Sequence, residues 1–341
     1  MYAPRCTRRL PWLLLLVAAL IWGPTPANAR EPNMPELRRK LEFAKGDRAV
    51  AEALDALTKR IGKHDAIRDH AAFASWLGKL PGENAQHALV LQRQGWAYVS
   101  ARQGEKALAP LRASLKKDPG RGPTRAYLGE ALRLTGDFDE AAEMFPTAVA
   151  AGYDEPHLQQ SVIENALAIR RRDLGKSSSG LPPYAKALAT WGKQRPDPEA
   201  DALLGQWLLE DLNAYDKPSS TRGALWAKTA ADALLRALTR SKTPIQGGAI
   251  LALDAAKAVT ALDKEAEGRS PHFDLLVWSV RLGTEGGAQH PKPQVYVLLA
   301  DAALRAHRFE LAKDMAQRRL AISHSPSALR VLRQLPPDLI E

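Results

Sequence analysis

The sequence predicts an all-α protein made of paired helices, and three observations support this fold class. Apolar residues recur at intervals of three and four along most of the chain, as at Val50, Leu54, Leu57 and Ile61. Short polar breaks rich in glycine, proline and serine separate these helical windows, and no window alternates as a strand would. The stretch from Leu89 to Tyr153 repeats itself with a constant 34-residue offset, which is typical of stacked helical hairpins.

The residues that recur explain how such hairpins pack. Small residues recur where two helix axes approach closely, and larger apolar residues recur where the gaps between those contacts must be filled. The pairs related by the 34-residue offset are Gly95 and Gly129, Tyr98 and Leu132, Ala107 and Ala141, Leu111 and Phe145, and Ser114 and Ala148.

The turn between the two helices of a hairpin is clearest in the second copy. Gly136 is expected to end the first helix in the left-handed conformation, and Asp137 is expected to cap the second helix. In the first copy the turn glycine, Gly104, comes two residues later, which predicts a shifted or deformed turn. Pro110 and Pro146 lie within the second helices, where the missing backbone N–H predicts a bend.

These spaced residues resemble the tetratricopeptide (TPR) repeat. The second copy matches the pattern at Leu128-Gly129, Leu132, Gly136, Phe138, Ala141, Phe145 and Ala148, and the first copy at Gly95, Tyr98, Ala107, Leu111, Ser114 and Pro119. A further copy near the C-terminus has Tyr296, Leu299-Ala300, Ala303, Phe309 and Ala312, with His307 at the position of the turn glycine. The resemblance implies a right-handed α–α superhelix that binds protein partners.

The segment 1–29 is typical of an export signal. Arg5, Arg8 and Arg9 precede an apolar run from Leu10 to Gly23, and Ala27-Asn28-Ala29 has the small residues that a signal peptidase accepts. We therefore expect an exported protein, periplasmic or secreted if bacterial, with cleavage after Ala29. The apolar run is shorter than the about 20 residues that span a membrane. An uncleaved anchor, the alternative, also keeps the rest of the protein outside the cytoplasm.

Composition and charge exclude several classes of chemistry. Cys6 is the only cysteine and lies in the signal, so the mature chain is expected to lack disulfides, thiolate catalysis and Cys-ligated zinc. Loss of the signal lowers the formal net charge from +10 to +7, because three arginines leave with it. Clusters such as 170–172 predict solvated helix faces or, alternatively, a patch for an acidic partner. Nucleic acid is not expected as a partner, since no aromatic residues interleave with the clusters.

Breaks in composition and the loss of the 34-residue register divide the chain into six segments. Pro81-Gly82 precedes the clear repeats, and no register is visible after Tyr153. The predicted segments are a signal peptide at 1–29, an N-terminal helical cap or degenerate repeat at 30–80, the TPR core at 81–158, irregular helical repeats at 159–282, a linker at 283–293, and a C-terminal TPR-like hairpin with a closing helix at 294–341.

The resemblance implies a binding groove, because the first helix of each TPR lines the concave surface on which partner segments lie. The positions of this chain that we assign to partner binding are Gln92, Arg93, Trp96, Tyr127, Glu130 and Arg133. Trp96 and Tyr127 are aromatic anchors of the kind that interfaces use. Alternatively, Trp96 packs beneath the N-terminal helices as core. The lysines and asparagines with which some family members bind a C-terminal carboxylate are absent, so an extended or helical peptide held by aromatic and apolar contacts is expected.

No motif in the sequence indicates catalysis, a metal site or a cofactor. The eight histidines form no close pair at helical spacing, and carboxylate pairs such as Glu210/Asp211 are interpreted as solvated helix faces. We therefore expect a protein that is not an enzyme.

Two functional hypotheses remain open. The first is an exported scaffold or adaptor that binds a protein or peptide in its groove, with peripheral attachment to a cell-envelope assembly such as a secretion, pilus or polysaccharide-export machine. The second is a glycan- or small-ligand-binding, even enzymatic, helical domain at 184–282 with the repeats as an accessory. In that case the tryptophans of this region would line a sugar-stacking cleft, and a buried, dispersed arrangement would favour the first hypothesis. These tryptophans are Trp191, Trp207, Trp226 and Trp278.

Overall fold

The computed structural model describes residues 34–62, 67–174, 176, 180–215, 220–242, 245, 248–260, 274–277 and 293–339. In these ranges the chain forms α-helices joined by turns, with two short 3-10 helices and no strand, which confirms the all-α fold class. The predicted signal at 1–29 and the predicted linker at 283–293, apart from Pro293, lie outside the described residues. None of the described helices combines the length and the apolar character that a membrane crossing requires.

The chain divides into two compact units, Met1–Asp65 and Ala66–Glu341. In the first unit α1 (Met34–Glu42) packs against α2 (Asp47–Gly62), and the apolar residues at helical spacing face each other between the two helices. The side chains buried in this unit are Leu37, Leu41, Val50, Ala53, Leu54, Leu57 and Ile61.

The second unit contains the remaining described helices, each of which packs chiefly against its neighbours in sequence. This arrangement is the one that stacked helical hairpins adopt. The helices are α3 (Ile67–Leu77), α4 (Ala88–Ser100), α5 (Gly104–Lys117), α6 (Gly122–Thr135), α7 (Phe138–Ala150), α8 (Pro156–Asp173), α9 (Pro183–Gln194), α10 (Pro198–Tyr215), α11 (Thr221–Arg240), α12 (Gly248–Thr260), α13 (Pro293–Arg305), α14 (Phe309–Ile322) and α15 (Pro326–Arg333).

The contacts within the two hairpins α4–α5 and α6–α7 repeat in space as they do in sequence. A Cβ atom added to Gly95 of α4 would overlap the side chain of Leu111 on α5. A Cβ atom added to Gly129 of α6 would lie 2.9 Å from Cε1 of Phe145 on α7. Each glycine therefore lets its helix approach the partner helix as closely as it does, and one large apolar side chain fills the contact.

The turns of these two hairpins also share one geometry. In both turns the residue that follows the left-handed position donates its N–H to the carbonyl oxygen five residues earlier, at 2.9 Å. The left-handed residue is Gly136 with φ 92° in the second copy and Arg102 with φ 56° in the first. The predicted shift of the first turn is therefore wrong, because Arg102 occupies the position of Gly136 and Gly104 simply begins α5.

Two further expectations concern the second helices of these hairpins. Asp137 precedes α7 but makes no side-chain hydrogen bond to its backbone, so the predicted cap is wrong; its carboxylate accepts a hydrogen bond from the Thr135 hydroxyl at 3.0 Å instead. The helices α5 and α7 continue past Pro110 and Pro146, and both proline side chains are buried.

Buried polar groups hold together the helices that follow the repeats. Arg170 on α8 donates to the carboxylates of Asp211, at 2.7 Å, and Glu210, at 2.9 Å, both on α10. The hydroxyl of Tyr184 on α9 donates to the other oxygen of Asp211 at 2.6 Å. Asp211 is therefore buried in an ion-paired contact between three helices, and the prediction that it lies on a solvated face is wrong.

The same contact includes aromatic rings and explains the basic cluster at 170–172. The guanidinium of Arg170 lies 5.3 Å from the ring centre of Trp207. Arg172 pairs with Asp139 of α7 at 2.9 Å and with Asp173 at 2.7 Å. Arg170 and Arg172 are thus engaged in ion pairs, while Arg171 and Arg172 are exposed, as a solvated helix face predicts.

The hairpin α13–α14 reproduces the repeat turn near the C-terminus. His307 adopts φ 53°, and the next residue, Arg308, donates its N–H to Ala303 O at 2.8 Å, five residues earlier. His307 therefore takes the left-handed conformation at the position where a TPR has glycine. The short helix α15 closes this end by packing on α13 and α14, with the Ser325 hydroxyl accepting a hydrogen bond from Ala328 N–H at 3.3 Å.

Candidate partner-binding groove

The first helices of the hairpins, α4 and α6, line an open groove together with α8. The groove has a volume of about 420 Å³. The side chains that matter for its chemistry are Trp96 from α4, Tyr127, Glu130 and Arg133 from α6, and His157, Ser161 and Glu164 from α8. Four of the six residues that the sequence assigned to partner binding are therefore brought together here.

These three helices are in register with one another. They begin at Ala88, Gly122 and Pro156, so successive starts are related by the same 34-residue offset. The register carries through to the groove, where Trp96, Glu130 and Glu164 are related by this offset as well. The helix α8 is therefore the first helix of a third repeat, and the repeat changes only afterwards, because α8 runs on to Asp173 where a turn would be due.

One wall of the groove is aromatic. The half-buried ring of Trp96 meets His70 of α3 edge to face at 5.2 Å, so Trp96 both packs against an N-terminal helix and lines the groove. The hydroxyl groups of Tyr127 and Tyr153 lie 3.4 Å apart, and Tyr153 in turn packs against His157 at 6.0 Å. These contacts hold the rings in place, as an interface anchor requires.

The half-buried position of Tyr153 affects the pKa of its phenol. Burial raises the pKa of the Tyr153 phenol above its ordinary value, and the hydrogen bond with Tyr127 acts in the same direction. The positive charge of Arg93 opposes both. The phenol therefore stays protonated at neutral pH and is a hydrogen-bond donor or acceptor beside the groove.

The groove also carries an ion triad formed by Arg133, Glu130 and Glu164. Arg133 donates to both oxygens of Glu130, at 2.6 and 2.9 Å, and pairs with Glu164 of the next repeat at 3.1 Å. The hydrogen bonds to Glu130 raise the pKa of the Arg133 guanidinium further, so its charge is constant at any physiological pH. The triad fixes the orientation of Arg133 and joins α6 to α8 across the groove.

The other two predicted site residues lie elsewhere. Gln92 is buried, with 4% of its surface exposed, and its side-chain oxygen accepts a hydrogen bond from Arg121 Nε at 2.8 Å. Arg93 is half-buried and acts electrostatically on Tyr153. Neither is among the residues that line the groove.

Sequence reasoning missed the contribution of α8 to the groove. The residues not predicted are His157, Gln160, Ser161 and Glu164. The signal was present in the sequence, since adding 34 to the numbers of Tyr127 and Glu130 gives Ser161 and Glu164. It was overlooked because the later residues of a third hairpin do not follow the pattern.

A second, larger groove lies beyond the repeats, with a volume of about 950 Å³. It is lined by α8, α10, the end of α11 and α12, with apolar residues such as Leu203, Ile245 and Leu251 and charged residues such as Glu199, Arg240 and Lys242. No aromatic side chain is among its described lining residues.

The tryptophans proposed for a sugar-stacking cleft are buried among helices instead. Trp191 has no exposed surface and donates its Nε1–H to Asp197 at 3.0 Å; Trp226 donates to Gly180 O at 2.9 Å. Trp207 is 7% exposed and packs on Tyr184. Trp278 lies outside the described residues. The burial of the three described tryptophans argues against a sugar-stacking cleft built from them.

Register, turn geometry and the glycine contacts together decide what kind of repeat this is. The chain is TPR-like. Two hairpins and the first helix of a third share a 34-residue register, and each turn has a left-handed residue at the same repeat position followed by the same backbone hydrogen bond. Within the part of the chain that the structure describes, no group of three or more histidine, cysteine or acidic side chains could hold a metal ion.

Comparison with known proteins finds similar solved structures at low sequence identity. No family model and no curated protein sequence matches the TPR-like chain. A similar solved structure is the C-terminal part of a TPR repeat-containing protein from Cytophaga hutchinsonii, with 14% sequence identity over 82% of this chain and 98% of that one and a TM-score of 0.38. Another is the APC/C hetero-tetramer Cut9–Hcn1, with 16% identity over 89% of this chain and 52% of that one and a TM-score of 0.33. The repeat assignment itself rests on the register and turns of this chain.

Proposed function

We propose that this TPR-like protein is an exported scaffold that binds a peptide segment of a partner protein in the groove of α4, α6 and α8. The observation that carries the proposal is the convergence of Trp96, Tyr127 and the Arg133 triad on one open surface. Aromatic anchors beside orienting polar groups are what peptide-binding surfaces use for affinity and for specificity.

The groove suits an extended segment better than a free chain end. Its volume of about 420 Å³ accommodates only a few residues. The Arg133 guanidinium is already engaged by two carboxylates, so it is poorly placed to bind a terminal carboxylate as well. Internal residues of a partner, anchored by an apolar or aromatic side chain and oriented by backbone hydrogen bonds, fit this lining.

A peptide-selection experiment tests the groove. Hexapeptides with acetylated and amidated ends would be selected from a randomised library on the purified chain beginning at Arg30. We expect the selected peptides to bind Trp96→Ala and Tyr127→Ala at least about tenfold more weakly, because both changes remove an anchor. Fluorescence anisotropy measures the affinities, and thermal unfolding checks that each variant is folded.

The matched control is Tyr215→Ala, which removes an aromatic ring that is 48% exposed and lies outside the groove. Its affinity for the selected peptides is expected to equal that of the wild type. Peptides that bind the two groove variants as tightly as the wild type would contradict the proposed site.

Export is part of the proposal and rests on the basic start, the apolar run and the small residues at 27–29. The expected location is the periplasm or the exterior, with peripheral attachment to an envelope assembly through the partner. Intact mass of the protein from cell fractions provides the test, and a mature chain beginning at Arg30 in the extracytoplasmic fraction is expected. A full-length chain in the cytoplasm would contradict it.

A second candidate function is the binding of a small ligand in the larger groove, favoured by its volume of about 950 Å³ and its mixed lining. Stacked sugars are not the expected ligands, because its described lining residues include no aromatic ring. A thermal-shift screen with small organic acids would test this function, with Leu203→Glu as the variant expected to abolish any shift.

The proposed scaffold includes no catalytic step and no cofactor.

A further inference from the structure

We infer that the turn between α1 and α2 binds the surface of an anionic lipid bilayer, into which it inserts the ring of Phe43. This inference goes beyond the proposed function, because it concerns the first compact unit and not the groove of α4, α6 and α8. Three features of the turn carry it: an exposed aromatic ring on the outer face of α1, basic side chains beside that ring, and the lack of described partners for those side chains.

Phe43 points away from the core of its own unit. It directly follows α1 and continues the helical geometry, since its N–H donates to the carbonyl oxygen of Arg39 at 3.1 Å. Successive helical residues are about 100° apart, so Phe43 lies about 200° around the helix from the buried Leu41. Phe43 is 75% exposed, the largest exposure among the large apolar residues that the structure describes. Its ring therefore contributes little to packing within the unit.

Basic side chains lie beside this ring. Arg39 and Lys40 come four and three residues before Phe43, on the same face of the helix. Lys45 follows in the turn. All three basic residues are exposed, and within the described ranges none of their side chains has a hydrogen-bonding or ion-pairing partner. Ammonium and guanidinium groups are attracted to an anionic membrane surface, and an aromatic ring beside them can enter the interface.

The acidic residues of this segment are placed differently. Glu42 is half-buried and lies about 100° around the helix from Phe43. Glu36 lies two turns before the ring, and Asp47 begins α2. Each of the three takes part in a hydrogen bond or charge interaction of its own. The segment 36–52 has five basic and four acidic residues, but the unpaired charge next to Phe43 is positive.

The exposed ring distinguishes a bilayer from a soluble acidic partner. A solvated polyanion can pair with lysine and arginine but offers the ring no apolar environment, whereas the interface of a bilayer offers both. Because the contact involves only a few side chains, we expect the binding to be reversible. We also expect added salt to weaken it, since salt screens the attraction between the basic side chains and the lipid headgroups.

Co-sedimentation with lipid vesicles tests the inference, using the purified chain beginning at Arg30. The vesicles contain either phosphatidylcholine alone or an equal mixture with phosphatidylglycerol, and binding is expected only to the mixed vesicles. Phe43→Ser is expected to lower the partition coefficient about fivefold, because the ring no longer enters the interface. Lys40→Gln/Lys45→Gln is expected to lower it about tenfold. Thermal unfolding checks that each variant is folded.

Two matched controls remove similar groups elsewhere. Leu174→Ser removes an apolar side chain of a residue that is 58% exposed. Lys116→Gln/Lys117→Gln removes two exposed lysines at the end of α5. Both controls are expected to bind the mixed vesicles as the wild type does. Losses as large as those of the turn variants would show attraction by overall charge or apolarity and would overturn the inference.

A fluorescent label reports on insertion directly. The chain beginning at Arg30 has no cysteine, so Phe43→Cys can carry one environment-sensitive fluorophore in place of the ring. Its emission is expected to rise with the mixed vesicles, whereas the same label at Leu174→Cys is expected to show no change.

Two results would overturn the inference. One is the absence of binding to the mixed vesicles. The other is binding that needs the lysines of the turn but not Phe43, which would assign the turn to a soluble acidic partner. Peptide binding in the groove is measured without vesicles, so either result leaves the proposed function standing.

Discussion

The hairpins α4–α7 and the helices α8–α11 bring helices together with different kinds of residue. In the hairpins, glycines face large apolar side chains, and the same contact recurs at the next 34-residue repeat. In α8–α11, buried carboxylates meet arginines, as where Asp211 binds Arg170 and Asp201 binds Arg236 at 2.7 Å. The contact between a glycine and a large apolar side chain recurs at the same position of the next repeat. The ion pairs of α8–α11 join individual residues that do not recur at a fixed offset. The first region is therefore visible as a repeat in sequence and the second is not.

The largest loss of stability is expected in the region α8–α11, when one partner of a buried ion pair is removed. Asp211→Ala leaves the Arg170 guanidinium, whose side chain is 17% exposed, with only Glu210 as a partner. The free energy of unfolding is expected to fall by about 3 kcal/mol. Urea denaturation followed by circular dichroism measures this change.

The double variant Arg170→Met/Asp211→Leu is the control for that experiment. It removes both charges and keeps side chains of similar volume, so stability is expected to recover most of the loss. A double variant as unstable as Asp211→Ala would show that shape, and not the uncompensated charge, dominates this contact.

The repeat region is expected to respond to a single added methyl group. Gly95→Ala places a Cβ atom against Leu111 and is expected to cost about 2 kcal/mol by overpacking. Gly62→Ala, at a helix end where nothing lies within 4 Å of the added atom, should leave stability unchanged or slightly raise it. Equal effects of the two changes in thermal unfolding would argue against the close approach of α4 and α5.

A smaller effect is expected from exchanging the left-handed residues of the two turns. Gly136→Ala is expected to lower the free energy of unfolding by about 1 kcal/mol, because Gly136 has φ 92°. Arg102→Gly is expected to raise it by about 0.5 kcal/mol, since Arg102 adopts φ 56°. Chemical denaturation of the two variants measures both changes in the free energy of unfolding. A loss of stability in Arg102→Gly would mean that the Arg102 side chain makes contacts that outweigh its backbone strain.

A comparably small effect on stability is expected at the junction of the two regions, and it depends on pH. Hydrogen bonds from Arg172 lower the pKa of Asp173 to about 2. An unfolded aspartate has a pKa of about 3.9, so the pair stabilises the fold above about pH 4, and the contribution is lost as the pH falls through about 2. Asp173→Asn is expected to cost about 0.5–1 kcal/mol at pH 7, because solvent screens the pair.

Urea titrations of wild type and Asp173→Asn at pH 7, 4 and 2 measure that dependence. The difference between the two proteins should shrink steadily between pH 4 and pH 2. A difference of the same size at pH 2 would assign the effect to the shape of the side chain and not to its charge.

The sequence predicted the helical class and the two clear hairpins well, because small and large residues at a fixed offset report directly on helix packing. The resemblance to the TPR placed Trp96, Tyr127, Glu130 and Arg133 in one groove. Gln92 was misplaced because the pattern does not say whether a polar side chain on the first helix points to solvent or, as here, accepts a buried hydrogen bond from Arg121.

The amino-acid sequence by itself determined the fold class and the repeat period, since both follow from the spacing of small and apolar residues along the chain. Only the tertiary structure decided that Asp211 is buried between three helices and that the ring of Trp96 packs against His70. Each of these depends on which groups meet across different helices, and a contact between distant residues leaves no periodic mark in the chain.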